Sequence, residues 1–585
     1  MISSHVSTPA AAVPPDPMPA PVTPATPASQ AADNATLTLE SAGRDDPLYP
    51  YQWHLKNTGQ RVFADTLPTP GIDLNIGTLH REGITGKGVV VAIHEQGRID
   101  PGHEDLAPNL VLGGPVDPAR SPAREVAHAT ATASIIGAVA HNGKGGRGIA
   151  PDARLLDMMA PGAHDLPTPI LHNASGGNSP VYFAPYDASE YPDTELDSRH
   201  GKLFIKSAGN EFERPHKIGI DADACRAATM GTGISCLTAT ADKINTMANA
   251  LTVGAVNAAG VKASYSNTGS ALWVSGLGGE FGHERQYAEA SGANGHTARL
   301  VESGAHGRSS RVDDAHLYAP AIVAADTTGV QQGLNREEPG YPRFNALDSA
   351  SASPIDPSGN YTARANGTSA AAPTVTGVAA LVLQANPRLT WRDIKYILAT
   401  TARKLDPDRQ KIVWQGLVLD DGWVTNAAGR AFSNWYGFGL VDASAAVQAA
   451  RRHRLLGPLR NTGWLATAQT DVPVSAKDAD AGKSRIAVDG DIKVETVQLR
   501  LRTTHKEPGQ LHIVLTSPAG TRSIILPAHT MVKLIGTDEF SIDLAASNAF
   551  LDESARGTWT LQVIDARDPA PAAAIVSWEL RVLGH

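Results

Sequence analysis

The sequence has no long apolar run and no excess of basic residues, and it contains only two cysteines. No run approaches the roughly 18 apolar residues of a membrane-spanning helix, so we expect no transmembrane segment. The net charge of −9 argues against a nucleic-acid partner, which needs a basic surface. The N-terminal stretch MISSHVSTPAAAVPPDP has no basic segment followed by an apolar core, so it is not typical of a signal peptide.

The length and composition favour a loop-rich protein of two or more domains. The chain has 585 residues, of which 55 are glycine and 40 are proline. Residues 1–43 are rich in proline, alanine, serine and threonine, and this composition predicts a disordered tail or linker. Cys225 and Cys236 lie close together in a segment with loop character, and they form either a disulfide bond or two free thiols.

One serine lies between small residues just before an apolar segment. The stretch Asn366–Pro373 reads NGTSAAAP, and the segment Val375–Gln384, VTGVAALVLQ, predicts a buried helix. The unpaired N–H groups at a helix start favour negative charge, so Ser369 is placed as a nucleophile that helps to form an oxyanion hole. The alternative is that Ser369 is an ordinary helix cap.

Two further stretches carry candidate catalytic side chains. Val89–Ile93 is a continuous apolar run that predicts a central parallel strand, and Glu95 follows it after one residue, His94. Functional side chains in α/β sheets collect at the carboxyl ends of such strands. His128 begins a run of small and apolar residues, which predicts a helix packed closely against the sheet.

The composition changes after Leu459, where short alternating runs begin. They are separated by turn signals and predict an all-β sandwich or barrel. The six runs are 494–501, 511–515, 523–526, 540–544, 558–563 and 575–582.

Taken together, these motifs resemble the subtilases, and in particular the kexin-like, proprotein convertase-like branch. The octet NGTSAAAP is similar to the nucleophile motif of that family, and the segment GTWTL at 557–561 is similar to its C-terminal P domain. The resemblance covers residues 44–585. It implies an α/β subtilisin-like peptidase domain over 44–457, with a parallel sheet flanked by helices. An all-β, jelly-roll-like P domain would then occupy 458–585.

The resemblance implies a serine endopeptidase with a serine, histidine and acid triad. Ser369 would attack the peptide carbonyl, His128 would act as the base, and Asn210 would complete the oxyanion hole. The family has aspartate where this chain has Glu95, and glycine where it has Ala129. The alternative is therefore a weak or inactive protein that uses a protease fold for binding.

The resemblance also suggests substrate-binding residues. Ser175 and Gly177 belong to the stretch NASGG, which is similar to the strand that pairs with the substrate backbone. Asp242 occupies the place of an acidic residue of the P1 pocket, and a carboxylate there would favour a basic P1 side chain. On residue type alone, Asp242 could equally be a solvated loop residue.

A structural calcium ion is expected from the same resemblance. Asp46, Asp105 and Asn142 fall at positions that hold Ca²⁺ in the family, and oxygen ligands from distant segments suit this ion. Residue type alone makes them ordinary turn residues.

The expected partners are protein or peptide substrates, and the expected location is secreted or periplasmic. The 43 residues before the resemblance begins leave no room for the folded prodomain usual in subtilases, so we expect a separate folding helper.

Overall fold

The computed structural model describes most of the chain beyond residue 45. The described residues are 46–176, 180–185, 201–212, 222–290, 312–476, 482–536, 539–567 and 572–585. The predicted tail at 1–43 lies outside them.

A six-stranded parallel sheet forms the centre of the N-terminal part. Its order in space is β2-β1-β3-β4-β5-β6. The strands are β1 (Val90–Ile93), β2 (Arg154–Asp157), β3 (Leu171–Ala174), β4 (Leu203–Ser207), β5 (Ala250–Val256) and β6 (Leu272–Leu277). Most of their residues are buried, because helices cover both faces of such a sheet.

Seven α-helices are present in the described part, and the longest of them carries Ser369 in its first turn. They are α1 (Ala123–Gly137), α2 (Ala222–Ala228), α3 (Arg285–Ala290), α4 (Asp314–Leu317), α5 (Thr368–Ala385), α6 (Trp391–Thr401) and α7 (Ala443–Arg452). Short 3-10 helices span Tyr49–Tyr51, Ala107–Asn109, Ala163–Asp165, Ala239–Ala241, Ile244–Thr246, Ala350–Ala352 and Pro508–Gln510. Three antiparallel pairs complete this part: β7 (Ile322–Ala325) with β8 (Tyr361–Ala365), β9 (Ile412–Trp414) with β10 (Leu417–Asp420), and β11 (Val424–Thr425) with β12 (Ala431–Phe432).

Helix α5 is apolar on almost all sides, as its sequence predicts, and it lies in the core. By length and composition it could cross a membrane, but 78% of this stretch is buried inside the fold. A core helix passes the same test, so this helix is weak support for a membrane span.

Two sheets of mainly antiparallel strands form the C-terminal part. One contains β13 (Arg460–Asn461), β14 (Leu465–Ala466), β15 (Val472–Pro473), β18 (Val494–Thr503), β21 (Ser541–Ser547) and β23 (Ala574–Gly584). The other contains β16 (Ser475–Ala476), β17 (Lys483–Val488), β19 (Leu511–Thr516), β20 (Arg522–Leu526) and β22 (Gly557–Asp565). The pair β16/β22 is parallel. Trp559 and Trp578 are fully buried in the core of this part, and each donates its indole N–H to an oxygen.

The α/β part ends with α7 and the β part begins with β13, so the predicted boundary at 457/458 lies in the connection between them. Cys225 and Cys236 are joined by a disulfide bond, with their Cα atoms 5.7 Å apart. The bond ties α2 to the loop that follows it.

A buried ion pair joins the two parts. Arg392 of α6 donates Nε to Glu495 Oε2 of β18 at 2.9 Å, and its Nη2 bonds Glu495 Oε1. The C-terminal His585 contacts the same Oε1 through Nδ1 at 2.8 Å. Burial raises the pKa of Glu495, but the hydrogen bonds from His585 and Arg392 outweigh it and hold this pKa below its usual value.

Backbone and amide contacts extend the same interface. Asn548 donates Nδ2 to the carbonyls of Ala271 and Leu272, and Gln498 donates to the carbonyl of Thr246. The β part therefore contacts the segments that flank β5 and β6 of the catalytic sheet.

Breaking the buried pair should destabilise the whole protein. Replacing Arg392 by alanine leaves Glu495 buried without its guanidinium, which costs about 3–5 kcal/mol. The free energy of unfolding should be measured in denaturant, in a Ser369→Ala background that prevents self-digestion. The matched control is Arg451→Ala, because the Arg451–Glu82 pair is 43% exposed on each side and contributes at most about 1 kcal/mol. Equal effects of the two substitutions would contradict the role of the interface.

Candidate active site

The nucleophile stretch opens helix α5 as the sequence predicts. Gly367 is the residue before the helix and has φ 98°, a conformation that side chains with a Cβ rarely adopt. Its N–H donates to the hydroxyl of Tyr265 at 2.8 Å, and that hydroxyl donates in turn to the carbonyl of Gly278 or Gly279. Ser369 therefore lies in the first turn of a helix whose start is held in place by the neighbouring loop.

Glu95 and His128 lie in direct contact. Glu95 Oε2 accepts a hydrogen bond from His128 Nδ1 at 2.9 Å. The Glu95 side chain is only 2% exposed, whereas that of His128 is 38% exposed. A buried carboxylate thus orients an imidazole that remains accessible to a substrate.

Gly97 explains how the loop after β1 reaches the helix that carries His128. A Cβ at this position would lie 2.4 Å from the carbonyl carbon of Glu125, so no side chain fits. This close approach brings the loop against the first turn of α1. Ala129, where the family has glycine, is fully buried in the core, so its methyl group is accommodated by packing.

The backbone of Ser175 links the acid to the nucleophile. Its N–H donates to Glu95 Oε1 at 3.2 Å, and its carbonyl accepts the Ser369 hydroxyl at 2.8 Å. The segment after β3 therefore contacts both Glu95 and Ser369.

Asn173 fastens the nucleophile helix to the same strand. Its Oδ1 accepts the hydroxyl of Thr376 on α5 at 2.9 Å, and its Nδ2 donates to Ser175 Oγ at 2.9 Å. All three residues are buried, so this contact fixes the distance between α5 and β3.

Asn210 lies beside the start of α5 with its amide oriented by Thr368. Its Oδ1 accepts the Thr368 backbone N–H at 2.8 Å and the Thr368 hydroxyl at 2.9 Å. Because a backbone N–H can only donate, the atom it meets is the amide oxygen, and the amide nitrogen is turned away from Thr368. This nitrogen is available to an oxyanion next to Ser369.

The sequence matches a known protease family. The sequence profile of the Subtilase family matches residues 86–439, which is more than half of the chain. The chain belongs to the subtilase family. The profile of the proprotein convertase P-domain matches residues 494–582 of this subtilase.

Relatives of this subtilase include a bacterial serine protease and an animal convertase. It is 31% identical over 617 residues to the Aeromonas extracellular serine protease of Aeromonas sobria, covering 92% of this chain and 91% of that protein. It is 27% identical over 564 residues to neuroendocrine convertase 2 of Bos taurus, covering 92% of this chain and 74% of the relative.

Solved structures agree with the sequence comparison. The crystal structure of the serine protease of Aeromonas sobria matches with a TM-score of 0.76 at 28% identity, covering 92% of this chain and 96% of that one. A crystal structure of the Aeromonas sobria protease in complex with a chaperone matches with a TM-score of 0.75, also at 28% identity, covering 92% and 95%. This subtilase is a serine endopeptidase, as the sequence predicted.

The predicted P1 residue Asp242 forms an ion pair with a lysine of the same protein, Lys206. Lys206 of β4 places Nζ 3.4 Å from Asp242 Oδ2, and the two side chains are 4% and 11% exposed. Asp242 Oδ1 accepts the backbone N–H of Ile244 at 2.9 Å. Asp242 is therefore buried and paired, rather than a solvated loop residue.

The three predicted calcium residues lie close together. Asp46 accepts the N–H of Asn142 at 3.1 Å, and Asn142 donates Nδ2 to Asp105 Oδ1 at 2.7 Å. Burial raises the pKa of Asp105 to about 7, and the nearby Asp46 and Glu104 add to this effect.

Arg147 pairs with Asp46 in this structure, beside Asp105 and Asn142. Arg147 donates Nε to Asp46 Oδ2 at 2.9 Å, and its guanidinium lies 3.8 Å from the ring centroid of Tyr49. The Asn142 oxygen accepts the N–H of Lys144 at 2.9 Å. Within the described ranges there is no cluster of three or more histidine, cysteine or acidic side chains that could hold a metal. Calcium remains a prediction drawn from the family resemblance.

Sequence reasoning missed two buried cations, Lys206 and Arg147. A lysine inside the apolar run LFIKS was a visible signal, since an unpaired charge in a central strand is costly. The partner of each cation is distant in the chain, which no local pattern reveals. Gly177, predicted to bind substrate together with Ser175, lies outside the described residues.

Proposed function

We propose that this endopeptidase works through a Glu95–His128–Ser369 triad, with Asn210 and the backbone N–H of Ser369 as the oxyanion hole. The observation that carries the proposal is the 2.9 Å contact between Glu95 Oε2 and His128 Nδ1. Glutamate reaches the imidazole despite its extra methylene group. This contact argues against the alternative of an inactive binding protein, which depended on Glu95.

The contacts of Glu95 support one arrangement of the protons. Glu95 is buried and accepts from both Ser175 N–H and His128 Nδ1, so it holds the imidazole in the tautomer whose Nε2 is a base. The Ser369 hydroxyl then exchanges its bond to the Ser175 carbonyl for one to His128 Nε2. Catalytic hydrogen bonds commonly tighten in this way when substrate binds.

The chemical steps follow from these positions. Ser369 Oγ attacks the peptide carbonyl while its proton passes to His128 Nε2. The negative charge that forms on the carbonyl oxygen meets Asn210 Nδ2 and the Ser369 N–H at the start of α5. His128 returns the proton to the leaving amine, and water then hydrolyses the acyl-enzyme by the same route.

A covalent probe tests the triad directly. A fluorophosphonate should label the wild-type protein, and mass spectrometry should map the label to Ser369. Heat-unfolded protein is the control, because it retains the hydroxyl but loses the base. Absence of labelling in well-folded protein would overturn the proposed function.

The oxyanion role of Asn210 predicts a loss in kcat rather than in binding. Asn210→Ala removes one donor and should lower kcat by about 10²–10³-fold. Asn210→Asp keeps the oxygen that accepts from Thr368 but removes the donor, so it separates catalysis from helix positioning. Steady-state kinetics on a fluorogenic peptide should show a similar fall for both variants, with KM nearly unchanged. A normal kcat in Asn210→Asp would assign Asn210 to structure alone.

The substrates proposed are proteins and peptides, and the proposed location is outside the cytoplasm, because the Aeromonas sobria relative is named as extracellular. A crystal structure of that protease contains a chaperone, which supports a separate folding helper here too. The family resemblance alone supports a structural calcium ion, which Asp46, Asp105 and Asn142 would hold, and Arg147 pairs with Asp46 in this structure. The resemblance also implies a basic P1 preference at Asp242, but Lys206 pairs with this carboxylate.

A further inference from the structure

A continuous line of contacts leads from the nucleophile to the Lys206–Asp242 pair. The Ser175 carbonyl that accepts from Ser369 also accepts the hydroxyl of Ser207 at 3.2 Å. The backbone carbonyl of Ser207 accepts Lys206 Nζ at 2.9 Å, and this ammonium lies 3.4 Å from Asp242. The ion pair therefore lies beside the segments that flank Ser369.

The charges of this pair cancel inside the protein. Both side chains are almost fully buried, so water screens their attraction little. A substrate guanidinium or ammonium brought to Asp242 would meet the positive Lys206 at the same carboxylate. It would also lose its own hydration, which an already paired acid does not replace.

A small apolar cluster lies on the two segments that carry the pair. Ala208, which follows Ser207 at the end of β4, packs with Ala239 and Leu272 in a fully buried cluster. Ala239 belongs to the short helix that ends just before Asp242. Both segments therefore place small apolar side chains next in sequence to the residues of the pair.

Another buried acid near the site is already occupied. Glu211 Oε2 accepts the backbone N–H of Asn210 at 2.8 Å and Asn267 Nδ2 at 3.0 Å. It is 4% exposed and faces these two donors. Glu211 therefore does not replace Asp242 as an anchor for a basic side chain.

We propose that Lys206 is a specificity-determining residue that occupies the charge of Asp242, so that the P1 pocket selects uncharged side chains over arginine and lysine. This inference rests on the proposed function, and it takes the position of the P1 pocket at Asp242 from the family resemblance. The proposed preference is the opposite of the basic P1 preference expected from the sequence. The difference is due to Lys206 on β4, which pairs with Asp242.

The test compares four fluorogenic peptides that differ only at P1, which is Arg, Lys, Leu or Phe. Wild-type kcat/KM should be higher for Leu or Phe than for Arg by about tenfold or more. Lys206→Met keeps the length of the side chain and removes the charge, so the Arg/Leu ratio should rise about tenfold or more. The double variant Lys206→Met/Asp242→Asn has neither charge, and its ratio should return to the wild-type value.

Two results would overturn the inference. One is a wild-type enzyme that cleaves after Arg more efficiently than after Leu. The other is a folded Lys206→Met, shown by circular dichroism and normal fluorophosphonate labelling, whose Arg/Leu ratio is unchanged. If Lys206→Met does not fold, the wild-type Arg/Leu ratio and the binding of the two peptides to Ser369→Ala test the inference.

Failure of the proposed function gives a different result. It would abolish labelling at Ser369 in every variant, whereas failure of this inference leaves labelling intact and changes only the P1 ratio. Titration calorimetry with Ser369→Ala measures the affinity of the Arg and Leu peptides for the pocket without their cleavage. Tighter binding of the Leu peptide supports the inference, and tighter binding of the Arg peptide contradicts it.

Discussion

Ser369→Ala should lower kcat for peptide hydrolysis by about 10⁶-fold. The substitution removes the atom that forms the acyl-enzyme, and the remaining groups cannot replace it. The fold should persist, because the Ser369 side chain makes its hydrogen bond to the Ser175 carbonyl at an only partly buried position. The residual rate should come from Asn210 and the helix start, which still stabilise an oxyanion formed by water attack.

The measurement is steady-state kinetics on a fluorogenic peptide, with protein purified to exclude host proteases. Ser351→Ala is the control, since this exposed serine bonds Glu337 rather than a residue of the site and should leave kcat unchanged. Active-site titration gives the fraction of competent enzyme. A Ser369→Ala variant that retains more than a hundredth of wild-type kcat would show that another group is the nucleophile.

The regular elements of this subtilase were largely predictable from local pattern. The run Val89–Ile93 predicted a buried strand, and the structure has β1 at Val90–Ile93. In the β part, the predicted runs 494–501 and 558–563 became Val494–Thr503 and Gly557–Asp565. These predictions hold because apolar periodicity records which face of each element is buried, and that is a local property of the sequence.

The charge arrangement of the site was less predictable. The sequence put Asp242 in a pocket and Asp46 in a calcium site, but it gave no sign that Lys206 and Arg147 neutralise them. Both pairs join residues that are 36 and 101 positions apart, and only the fold brings them together. Family resemblance transfers positions, whereas the protonation and pairing of a carboxylate depend on every neighbour of that position.

Glu95→Gln should lower kcat by about 10⁴-fold while the protein stays folded. Glu95 uses two acceptor oxygens, one for the Ser175 N–H and one for His128 Nδ1. An amide has only one acceptor oxygen, and the Ser175 N–H can only donate, so this oxygen stays with Ser175. The amide NH₂ then faces His128 and forces Nδ1 to accept. The proton moves to Nε2, and His128 can no longer take the proton of Ser369.

Glu125→Gln is the matched control, because this residue lies on the same helix one turn before His128. It should change kcat less than about threefold, since a partly exposed charge at a helix start contributes at most about 1 kcal/mol. Fluorophosphonate labelling of Glu95→Gln should slow in parallel with kcat. If Glu95→Gln keeps wild-type kcat, the carboxylate does not set the tautomer of His128.

Glu95→Asp tests whether the backbone of the site is positioned for glutamate rather than for the shorter aspartate. Aspartate draws the carboxylate back by about one C–C bond, roughly 1.5 Å. A displacement of this size costs about 10²-fold in rate, because catalytic groups must lie within hydrogen-bond reach. The expected order of kcat is therefore wild type, then Glu95→Asp, then Glu95→Gln. Gly97 holds the loop against α1 through a contact that leaves no room for a side chain, so the backbone cannot move forward to compensate. A Glu95→Asp enzyme with a higher kcat than wild type would contradict this. It would show that glutamate lowers the activity of the site, and that the loop after β1 does not position a glutamate better than an aspartate.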